Sequence, residues 1–562
     1  MASTAALPPI LAPGRRGLLA RLVANGILQA ATMWGTAKLT HLAVESMALS
    51  GDANAMRWLA LAAGLLASAL VLLGLRAVER TDGERMGQRY TAELRMVLFD
   101  HLARVSSREL QRRRQGSLLL RFVGDLKAMR LWVSLGFSRV IVASLSIAGV
   151  TLGLFIAAPR LAIASCIALL LCAAIAQLLA VRTRIAMRDA RYRQSMLAAN
   201  VSEKVTSMAV LQLFGQVARE RARIVRQAKR LESAATAQAQ YSALLRALGD
   251  TAAMLASGAV LLTGGWLAAA GSLDAGAAIA AMVLAGLQAP ALRDLGLALG
   301  YRASADVSRE KFRQFLARHP QLIETPNSTA IVPTEGRLEL RGVSLGNVFD
   351  DLSAVFEPGR IHLIRGANGS GKSTLLALAA RLMQPERGEV LLDGQTLAAH
   401  RLDSVHRSIG MAGPDLPLLR GTLDANLRYR WRRAPAAELQ RIRQLCGIDE
   451  LAATLPDGLQ TRIDEGGRNL SPGQRQRVML ARALLGNPAV LLLDEVDSNL
   501  DPQAESILDD VLRNYAGTVL MVSHRQPRLP ASQVVWTIAN KKLVKETETN
   551  HDHRPERLHR VA

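Results

Sequence analysis

Cysteine and aromatic residues are scarce in this sequence of 562 residues. There are only 3 cysteines (Cys166, Cys172 and Cys446), which excludes a disulfide-stabilised scaffold. Cysteine and histidine nowhere show the spacing of a structural zinc site. Aromatic residues make up 4% of the chain, but hydrophobic residues make up 50%, which excludes a mostly disordered or collagen-like protein.

Acidic residues are outnumbered by basic ones. The 69 lysines and arginines against 47 acidic residues give a formal net charge of +22. Such an excess favours a polyanionic partner, which could be nucleic acid, an anionic membrane face or a nucleotide. The positions of the basic residues along the chain are needed to distinguish between these three kinds of partner.

Long runs without charge are concentrated in the first 300 positions. A bilayer core requires about 20 mostly apolar residues in a helix. Five runs meet this description and a sixth is weaker because Arg21 and Lys38 lie near its ends. The five clear runs are 58–75, 140–158, 161–181, 251–273 and 275–292, and the weaker one is 18–41. These runs predict six membrane spans and disfavour the alternative of buried helices in a soluble protein.

Basic residues flank the predicted spans asymmetrically. Arginines cluster before the first span and after the second, fourth and sixth. The alternate loops are short and carry Glu45, Asp52 and Asp274, with Arg57 and Arg160 as mild exceptions. The positive-inside rule therefore predicts that both termini are cytosolic. Much of the net charge is explained by topology, and no nucleic-acid partner is predicted. Residues 1–16 are interpreted as a cytosolic lead, although Arg15–Arg16 weakly resembles a twin-arginine signal.

Two stretches between the spans have helical periodicity but are polar. Residues 77–135 and 182–245 carry apolar residues at helical spacing among many charges. Helices that are too long for the bilayer must project beyond it, so these stretches predict cytosolic helical extensions. Prolines near residues 317–335 predict a linker. After it, alternating strands and helices predict an α/β domain over 336–540. Residues 541–562 are interpreted as a polar tail.

The most specific motif is a phosphate-binding loop. Gly366, Gly371, Lys372 and Ser373 match the pattern G-x-x-x-x-G-K-[ST], with an apolar strand before it and a helix-forming run after it. Glycines allow backbone N–H groups to point at phosphates, and the helix N-terminus adds its dipole. The lysine can pair with phosphate oxygens and the serine can ligate Mg²⁺.

A second motif places two acids after a buried strand. The apolar run Val490–Leu493 is followed by Asp494 and Glu495. In a phosphate-loop domain, Asp494 is expected to hold Mg²⁺ directly or through water. Glu495 is expected to polarise the attacking water as a general base.

Between these motifs, a capping box begins a helix. Ser471 is followed three residues later by Gln474, with Pro472 at the first helical position. Together with its neighbours, the run Leu470–Arg477 resembles the signature sequence of ATP-binding-cassette (ABC) ATPases. Residues 336–540 resemble the ABC nucleotide-binding domain, and residues 17–316 resemble the transmembrane domain of ABC exporters.

This resemblance implies a fold and an activity. The fold is a membrane α-helical bundle of six helices with long intracellular extensions, followed by an α/β nucleotide-binding domain. The activity is ATP hydrolysis with Mg²⁺, coupled to export of an unidentified lipid, peptide or hydrophobic small molecule. Because each chain has one phosphate loop and one signature, the resemblance implies a homodimer or a heterodimer with a second half-transporter. It also implies a multi-pass protein of the bacterial inner membrane, with its nucleotide-binding domain in the cytoplasm.

The resemblance also assigns roles to individual residues. Glu495, His524 and Lys372 are the expected catalytic residues, and Ser373 and Asp494 are the expected metal ligands. The expected nucleotide contacts are Gly366, Asn368, Gly369, Ser370, Gly371, Lys372, Ser373, Thr374, Phe349, Ser471, Gly473, Gln474 and Asp501. Phe349 is included as a replacement for the aromatic residue that usually stacks on adenine, since that position falls at about Asn347.

Two prolines depart from the family pattern. Pro414 stands where the family usually has a glutamine that senses Mg²⁺, and proline offers neither a donor nor a side-chain acceptor. Pro472 replaces a glycine of the signature. These changes leave open a weaker or regulatory half of a heterodimer, or an ATP-gated channel. A soluble ABC ATPase acting on DNA or ribosomes is suggested only by the basic charge.

The substrate is barely encoded in the sequence. Asn25, Gln29, Thr32 and Thr36 are spaced as one face of the first span. Polar groups in a membrane helix should face the bundle, so this stripe is a candidate lining of the translocation path. Hydrogen bonding between helices explains the same pattern equally well.

Overall fold

A computed structural model describes residues 6–48, 55–105, 124–317, 324, 327–498, 500–523 and 533–546. These residues form two compact units, one drawn from positions 1–319 and the other mainly from positions 320–562. The division falls within the predicted linker, 317–335.

The first unit is built from helices. Three of them contain about 50 residues each, which corresponds to roughly 75 Å at ~1.5 Å per residue and exceeds the bilayer core of ~30 Å. The helices are α1 (Arg16–Ala48), α2 (Ala55–Ala103), α3 (Leu126–Ala157), α4 (Pro159–Thr206), α5 (Met208–Leu213), α6 (Val217–Ala269), α7 (Ala275–Gly286) and α8 (Ala289–Leu316). Within the described residues, the polar stretches after the second and fourth spans begin as continuations of these spans, because α2 extends to Ala103 and α4 to Thr206.

Five helical segments of the described chain are long and apolar enough to cross a membrane. They are α2, α3, α4, α6 and the pair α7–α8, and each includes all or most of one of the five clear runs predicted from the sequence. The weaker run, 18–41, lies in α1 but does not reach the same apolar threshold. The reason is its polar stripe, which includes Asn25 and Gln29 and interrupts the apolar surface.

Buried charges connect α1 and α2 at one end. Arg15 is only 3% exposed, donates to the Ile10 carbonyl at 2.9 Å, and lies over the Tyr90 ring. Asp82 of α2 is 1% exposed and pairs with Arg21 at 3.0 Å. Arg15 therefore has a structural role in packing the N-terminal lead against α2.

The second unit contains two larger sheets and a two-stranded ribbon. The six-stranded sheet has the order β12-β11-β3-β10-β9-β6, and all of its pairs are parallel except β11–β12. The antiparallel sheet has the order β2-β1-β4-β5, and β7 pairs with β8. The strands are β1 (Leu338–Leu345), β2 (Phe349–Phe356), β3 (Ile361–Gly366), β4 (Arg387–Leu392), β5 (Gln395–Thr396), β6 (Ile409–Ala412), β7 (Gly421–Thr422), β8 (Arg462–Ile463), β9 (Val490–Asp494), β10 (Thr518–Val522), β11 (Gln533–Ala539) and β12 (Lys542–Lys545).

Buried apolar residues on both faces hold the parallel sheet in place. Leu491 and Leu493 of β9 belong to one hydrophobic cluster, whereas Val490 and Leu492 belong to the other. This alternation follows from the period of two along a strand, and burial on both faces is typical of parallel sheets.

The helices of this unit are α9 (Lys372–Ala379), α10 (Leu402–Ser408), α11 (Leu423–Leu427), α12 (Ala436–Leu445), α13 (Ile448–Ala453), α14 (Pro472–Leu484) and α15 (Pro502–Asn514).

Candidate nucleotide site and membrane cavity

The phosphate loop connects β3 to α9 at the carboxyl edge of the parallel sheet. Gly366, Gly369 and Gly371 have φ values of +150°, +83° and +106°, a region that favours glycine. A Cβ on Gly371 would lie 2.6 Å from Val348 Cγ1. The glycines are therefore required both by the turn and by its close packing, and helix α9 begins directly after them.

Lys372 is folded against the loop that precedes it. Its side chain is largely buried, and the residue is 7% exposed. Its Nζ donates to the carbonyl of Gly366 at 2.9 Å and to that of Ala367 at 3.2 Å. These contacts place a positive charge at the centre of the loop, next to the helix N-terminus.

Asp494 ends β9 two strands from β3, with β10 between them. It is 3% exposed, and its Oδ1 has no hydrogen-bond partner among the described residues. Burial raises the pKa of the Asp494 carboxyl above its usual value, and a hydrogen bond from Ser373 opposes this shift. The nearby carboxylates of Glu495 and Asp415 raise the pKa further. A buried, unsatisfied carboxylate oxygen beside a serine hydroxyl fits a hard cation such as Mg²⁺.

Glu495 follows Asp494 in an uncommon backbone conformation. Its φ is +49°, although it is not glycine, and its N–H donates to the Val522 carbonyl at 3.0 Å. Ser498 Oγ donates to the Glu495 carbonyl at 2.8 Å. Strained backbone of this kind is concentrated at functional sites, and here neighbouring hydrogen bonds hold it in place.

The loop after β6 approaches the same carboxylate. A Cβ on Gly413 would lie 2.8 Å from Asp494 Cβ. The next residue, Pro414, is exposed, as is Asp415. The segment that lacks the usual glutamine therefore lies beside Asp494, and a carboxylate follows the proline.

The signature segment forms the predicted capping box. Ser471 Oγ accepts from Gln474 N at 3.2 Å, and Gln474 Oε1 accepts from Ser471 N at 3.0 Å. Pro472 occupies the first position of α14 without disturbing this cap. A Cβ on Gly473 would lie 2.4 Å from Asp501 Oδ2, so the signature helix and the Asp501 loop are in contact.

The position of Phe349 does not fit the role predicted for it. Phe349 begins β2, is 1% exposed and belongs to a hydrophobic core cluster. A ring buried in the core has no free face on which a base could stack. We therefore remove Phe349 from the expected nucleotide contacts. The exposed residue Asn347 precedes it, and Val348 packs against the phosphate loop.

The structure places most of the other predicted residues along one sheet edge. Asn368, Gly369 and Ser370 lie in the turn between β3 and α9, and Thr374 lies in the first turn of α9. Ser471, Gly473 and Gln474 are grouped with Asp501 around the start of α14. His524 lies outside the described residues. These placements describe geometry, and the roles stay predictions.

Sequence reasoning missed two residues that support this edge. Asp497 is 8% exposed and accepts a hydrogen bond from Ser523 at the end of β10. This contact ties the loop after Glu495 to the strand that leads to His524. Neither residue belongs to a motif with a recognisable spacing, because the two are brought together only by the pairing of β9 with β10.

The polar stripe of α1 makes contacts of three kinds. Asn25 donates to the Leu75 carbonyl at 2.8 Å, and Thr36 Oγ1 lies 3.1 Å from Ser68 Oγ, so both connect α1 to α2. Thr32 donates to the Leu28 carbonyl of its own helix. Gln29 donates to Glu79 at 2.9 Å and also lines a cavity of about 230 Å³. Of the four predicted path residues, Gln29 is the one that lines this cavity.

Comparisons with known proteins identify both parts of the chain. Residues 18–290 match the model for the ABC transporter transmembrane region, and residues 349–498 match the model for the ABC transporter family. The chain aligns over 94% of its length with a solved bacterial Atm1-family ABC exporter with ATP bound, covering 94% of that chain, at a TM-score of 0.84 and 22% identity. At this identity the likeness concerns the fold.

Curated relatives are ATP-binding and permease proteins. A multidrug efflux ATP-binding/permease protein of Mycobacterium bovis is 30% identical to this chain. The alignment covers 85% of this chain but only 41% of the length of that relative. A probable ABC transporter ATP-binding/permease protein of Haemophilus influenzae is 26% identical over 85% of this chain and 89% of its own. Antigen peptide transporter 2 of Rattus norvegicus is 26% identical over 82% of this chain and 66% of its own. With a transmembrane region and a nucleotide-binding domain of this type in one polypeptide, the chain belongs to the ABC transporter family.

Proposed function

We propose that this chain is an ATP-driven half-transporter that dimerises and exports a lipid, a peptide or a hydrophobic small molecule. The observation that carries the proposal is the convergence of Lys372, Ser373, Asp494 and Glu495 at the carboxyl edge of one parallel sheet. Ligands of open α/β sheets bind at this edge.

The phosphate loop would bind the triphosphate of ATP. Backbone N–H groups of the turn that ends at Gly371 and of the first turn of α9 would donate hydrogen bonds to the phosphate oxygens. Lys372 would exchange its two carbonyl partners for phosphate oxygens, since a buried ammonium gains more from a charged partner than from a carbonyl.

Ser373 and Asp494 would hold Mg²⁺. The unpartnered Asp494 Oδ1 and the adjacent Ser373 hydroxyl provide the oxygen ligands that this cation requires. A bound Mg²⁺ would neutralise charge on the phosphates. The proximity of Glu495 and Asp415 would add negative charge that favours a cation at this place.

Glu495 would act as the general base. It directly follows Asp494 at the end of β9, so its carboxylate would lie beside the proposed metal site. The carboxylate would take a proton from the attacking water, which would increase the nucleophilicity of the water towards the γ-phosphate. The hydrogen bonds that fix its backbone would keep the carboxylate in place during turnover.

A complete ATP site would need two chains. Ser471 is exposed at the N-terminus of α14, where its hydroxyl and the positive end of the helix dipole would attract the phosphate of a nucleotide held by the loop of another copy. One chain contributes one loop and one signature, so the dimer would contain two sites. The partner would be a second copy or another half-transporter, and the similarity to antigen peptide transporter 2 is compatible with either.

The helical unit would provide the path through the membrane. The basic residues at the ends of the spans favour cytosolic termini and a cytoplasmic nucleotide-binding domain. The membrane would be the inner membrane of a bacterium, as two of the relatives are bacterial proteins. Relatives include a multidrug efflux protein and a peptide transporter, which supports an apolar or peptide substrate and outward transport.

Replacement of the proposed base tests the proposal. Glu495→Gln keeps the size of the side chain but removes the base, so ATP should still bind while turnover falls by about 10² or more. Glu505→Gln, an exposed position in α15, is the matched control and should retain turnover. Hydrolysis by Glu495→Gln at nearly the rate of the unmodified protein would refute the assignment.

A second candidate is the weaker half of a heterodimer. The specific observation is that Pro414 follows Gly413, which packs on Asp494, so a side chain able to contact a metal-bound water is missing at this point. Purification of the single chain separates the two candidates. Steady ATP hydrolysis and transport by the chain alone would exclude the weaker-half alternative, and activity only after addition of another half-transporter would establish it.

A further inference from the structure

A small cavity in the helical unit has a strongly basic wall. It measures about 230 Å³ and lies between α1, α2, α3 and α8. Its charged lining consists of four arginines and two carboxylates, so positive charge is in excess. These residues are Arg76, Arg80, Arg139, Arg293, Glu79 and Asp294.

The two carboxylates already have partners in the cavity wall. Arg139 Nη1 donates to Asp294 Oδ1 at 2.7 Å, and Gln29 Nε2 donates to Glu79 at 2.9 Å. Arg76 and Arg80, by contrast, form no ion pair within the described part of the chain. One turn of α2 separates them, so both lie on the same face of the helix, and both are close enough to Asp294 to interact with it electrostatically without forming an ion pair.

A buried hydroxyl adds a second, independent indication of a ligand. Ser134 is 3% exposed and lines the cavity, but its Oγ has no hydrogen-bond partner among the described residues. A buried unsatisfied hydroxyl costs free energy unless a bound group completes it. Ser134 belongs to a π-helical turn, Trp132–Phe137, a distortion of the helix that frequently occurs at functional sites.

The cavity lies where the apolar runs end. Arg76 follows the run 58–75, Arg139 precedes the run 140–158, and Arg293 follows the run 275–292. The basic wall is therefore expected at the boundary of the hydrocarbon layer. The volume is below the ~300 Å³ of a typical pocket for a drug-sized molecule, so it suits one polar group of a larger molecule.

From these observations we infer that the cavity binds the phosphate group of the transported molecule, an inference that rests on the proposed transport function. Arg76 and Arg80 would pair with the phosphate oxygens, and Ser134 would donate its free hydroxyl to the same group. The Arg139–Asp294 pair would hold α3 and α8 together at the cavity wall. The same phosphate could reach the cavity as a lipid headgroup or as a soluble phosphate ester.

Binding to the full chain without nucleotide tests this inference separately from ATP hydrolysis. The protein is placed in phosphatidylcholine nanodiscs, and the midpoint of thermal unfolding is measured with phosphatidic acid in the disc or with glycerol 1-phosphate in solution. Binding to the folded chain raises the midpoint. A shift with either probe supports the phosphate site, and the responding probe identifies the source. The absence of a shift with both probes would overturn the inference.

Substitutions assign the shift to the cavity. The double variant Arg76→Gln/Arg80→Gln should weaken the affinity for the responding probe about tenfold or more, and Ser134→Ala should weaken it severalfold with little change in volume. Arg95→Gln, an exposed position on the same helix α2 that does not line the cavity, is the matched control. The inference would be overturned if Arg95→Gln weakened the affinity for the probe as much as the double variant does. It would also be overturned if neither the double variant nor Ser134→Ala weakened that affinity.

Discussion

Gly473 packs directly against Asp501: a Cβ on residue 473 would lie 2.4 Å from Asp501 Oδ2. Asp501 cannot move away freely, because its other oxygen, Oδ1, accepts from Ala504 N at 2.7 Å and caps α15. The absence of a side chain at residue 473 therefore allows the signature helix and the capped helix α15 to approach each other.

Gly473→Ala tests this contact. The new methyl group should displace the Asp501 carboxylate, weaken the cap of α15 by about 1 kcal/mol and lower ATP turnover. The midpoint of thermal unfolding and the rate of ATP hydrolysis both check this expectation. Asp501→Asn is the control for the unfolding midpoint only, since asparagine caps a helix as well as aspartate does. An unchanged midpoint and an unchanged rate in Gly473→Ala would contradict the contact.

Asp393 predicts an acid-sensitive contact at the entry to the nucleotide-binding domain. Burial alone would raise the pKa of its carboxyl, but four backbone N–H groups of residues 334–337 together lower the pKa below the usual 3.8. A lowered pKa in the folded state contributes stability at pH values above the unfolded pKa. This contribution should be lost as the pH falls below about 4.

Asp393→Asn checks the size and the sign of this effect. Asparagine tolerates the φ of +50° but retains only one acceptor oxygen, so the free energy of unfolding at neutral pH should fall by about 1 kcal/mol. The difference between the variant and the unmodified protein should shrink in acid. Thermal unfolding measured from neutral pH to pH ~3 tests this, with the exposed Asp350→Asn as the control. A difference that does not depend on pH would show that the carboxylate charge is unimportant.

Cys446 should be chemically inert in the folded protein. It is fully buried, and burial raises the pKa of its thiol to about 12. Because the thiolate is the reactive form, iodoacetamide at pH ~8 should leave Cys446 unmodified until the domain unfolds. A variant with Cys166 and Cys172 replaced by alanine isolates this thiol, and mass spectrometry before and after denaturation gives the result. Rapid labelling of the native protein would contradict the described packing.

The polar stripe of α1 should divide into residues with different roles. Asn25→Ala removes a hydrogen bond between α1 and α2 and should lower stability by about 1 kcal/mol. Thr32→Ala removes a bond only within α1 and should have little effect. Thermal unfolding in detergent or nanodiscs compares the two variants directly. Equal destabilisation by both variants would mean that the interhelical hydrogen bond of Asn25 contributes no more to stability than the hydrogen bond of Thr32 within α1.

Local motifs of the nucleotide site can be predicted from sequence because their geometry is local. The glycines of the phosphate loop, the capping box at Ser471 and the two acids after β9 each require a particular backbone within a few residues. The strand, turn and helix around Lys372 follow from the same short segment, so pattern and structure coincide there.

Contacts between distant segments cannot be predicted in the same way. Phe349 is buried because β2 turns its side chain towards the core, and no short pattern distinguishes this from an exposed ring. The bond of Gln29 to Glu79 and the isolated hydroxyl of Ser134 depend on how helices pack against one another. Sequence spacing indicates only which helix face carries such residues.

Reconstitution of this chain alone in lipid vesicles tests the central claim most directly. ATP hydrolysis is measured while lipids, peptides and drugs are added in turn, and the same series is repeated with Lys372→Ala. We expect at least one class of compound to stimulate hydrolysis in a saturable manner, and Lys372→Ala to abolish both the basal and the stimulated rate. Hydrolysis that persists in Lys372→Ala, or a purified chain that binds no adenine nucleotide, would contradict the account.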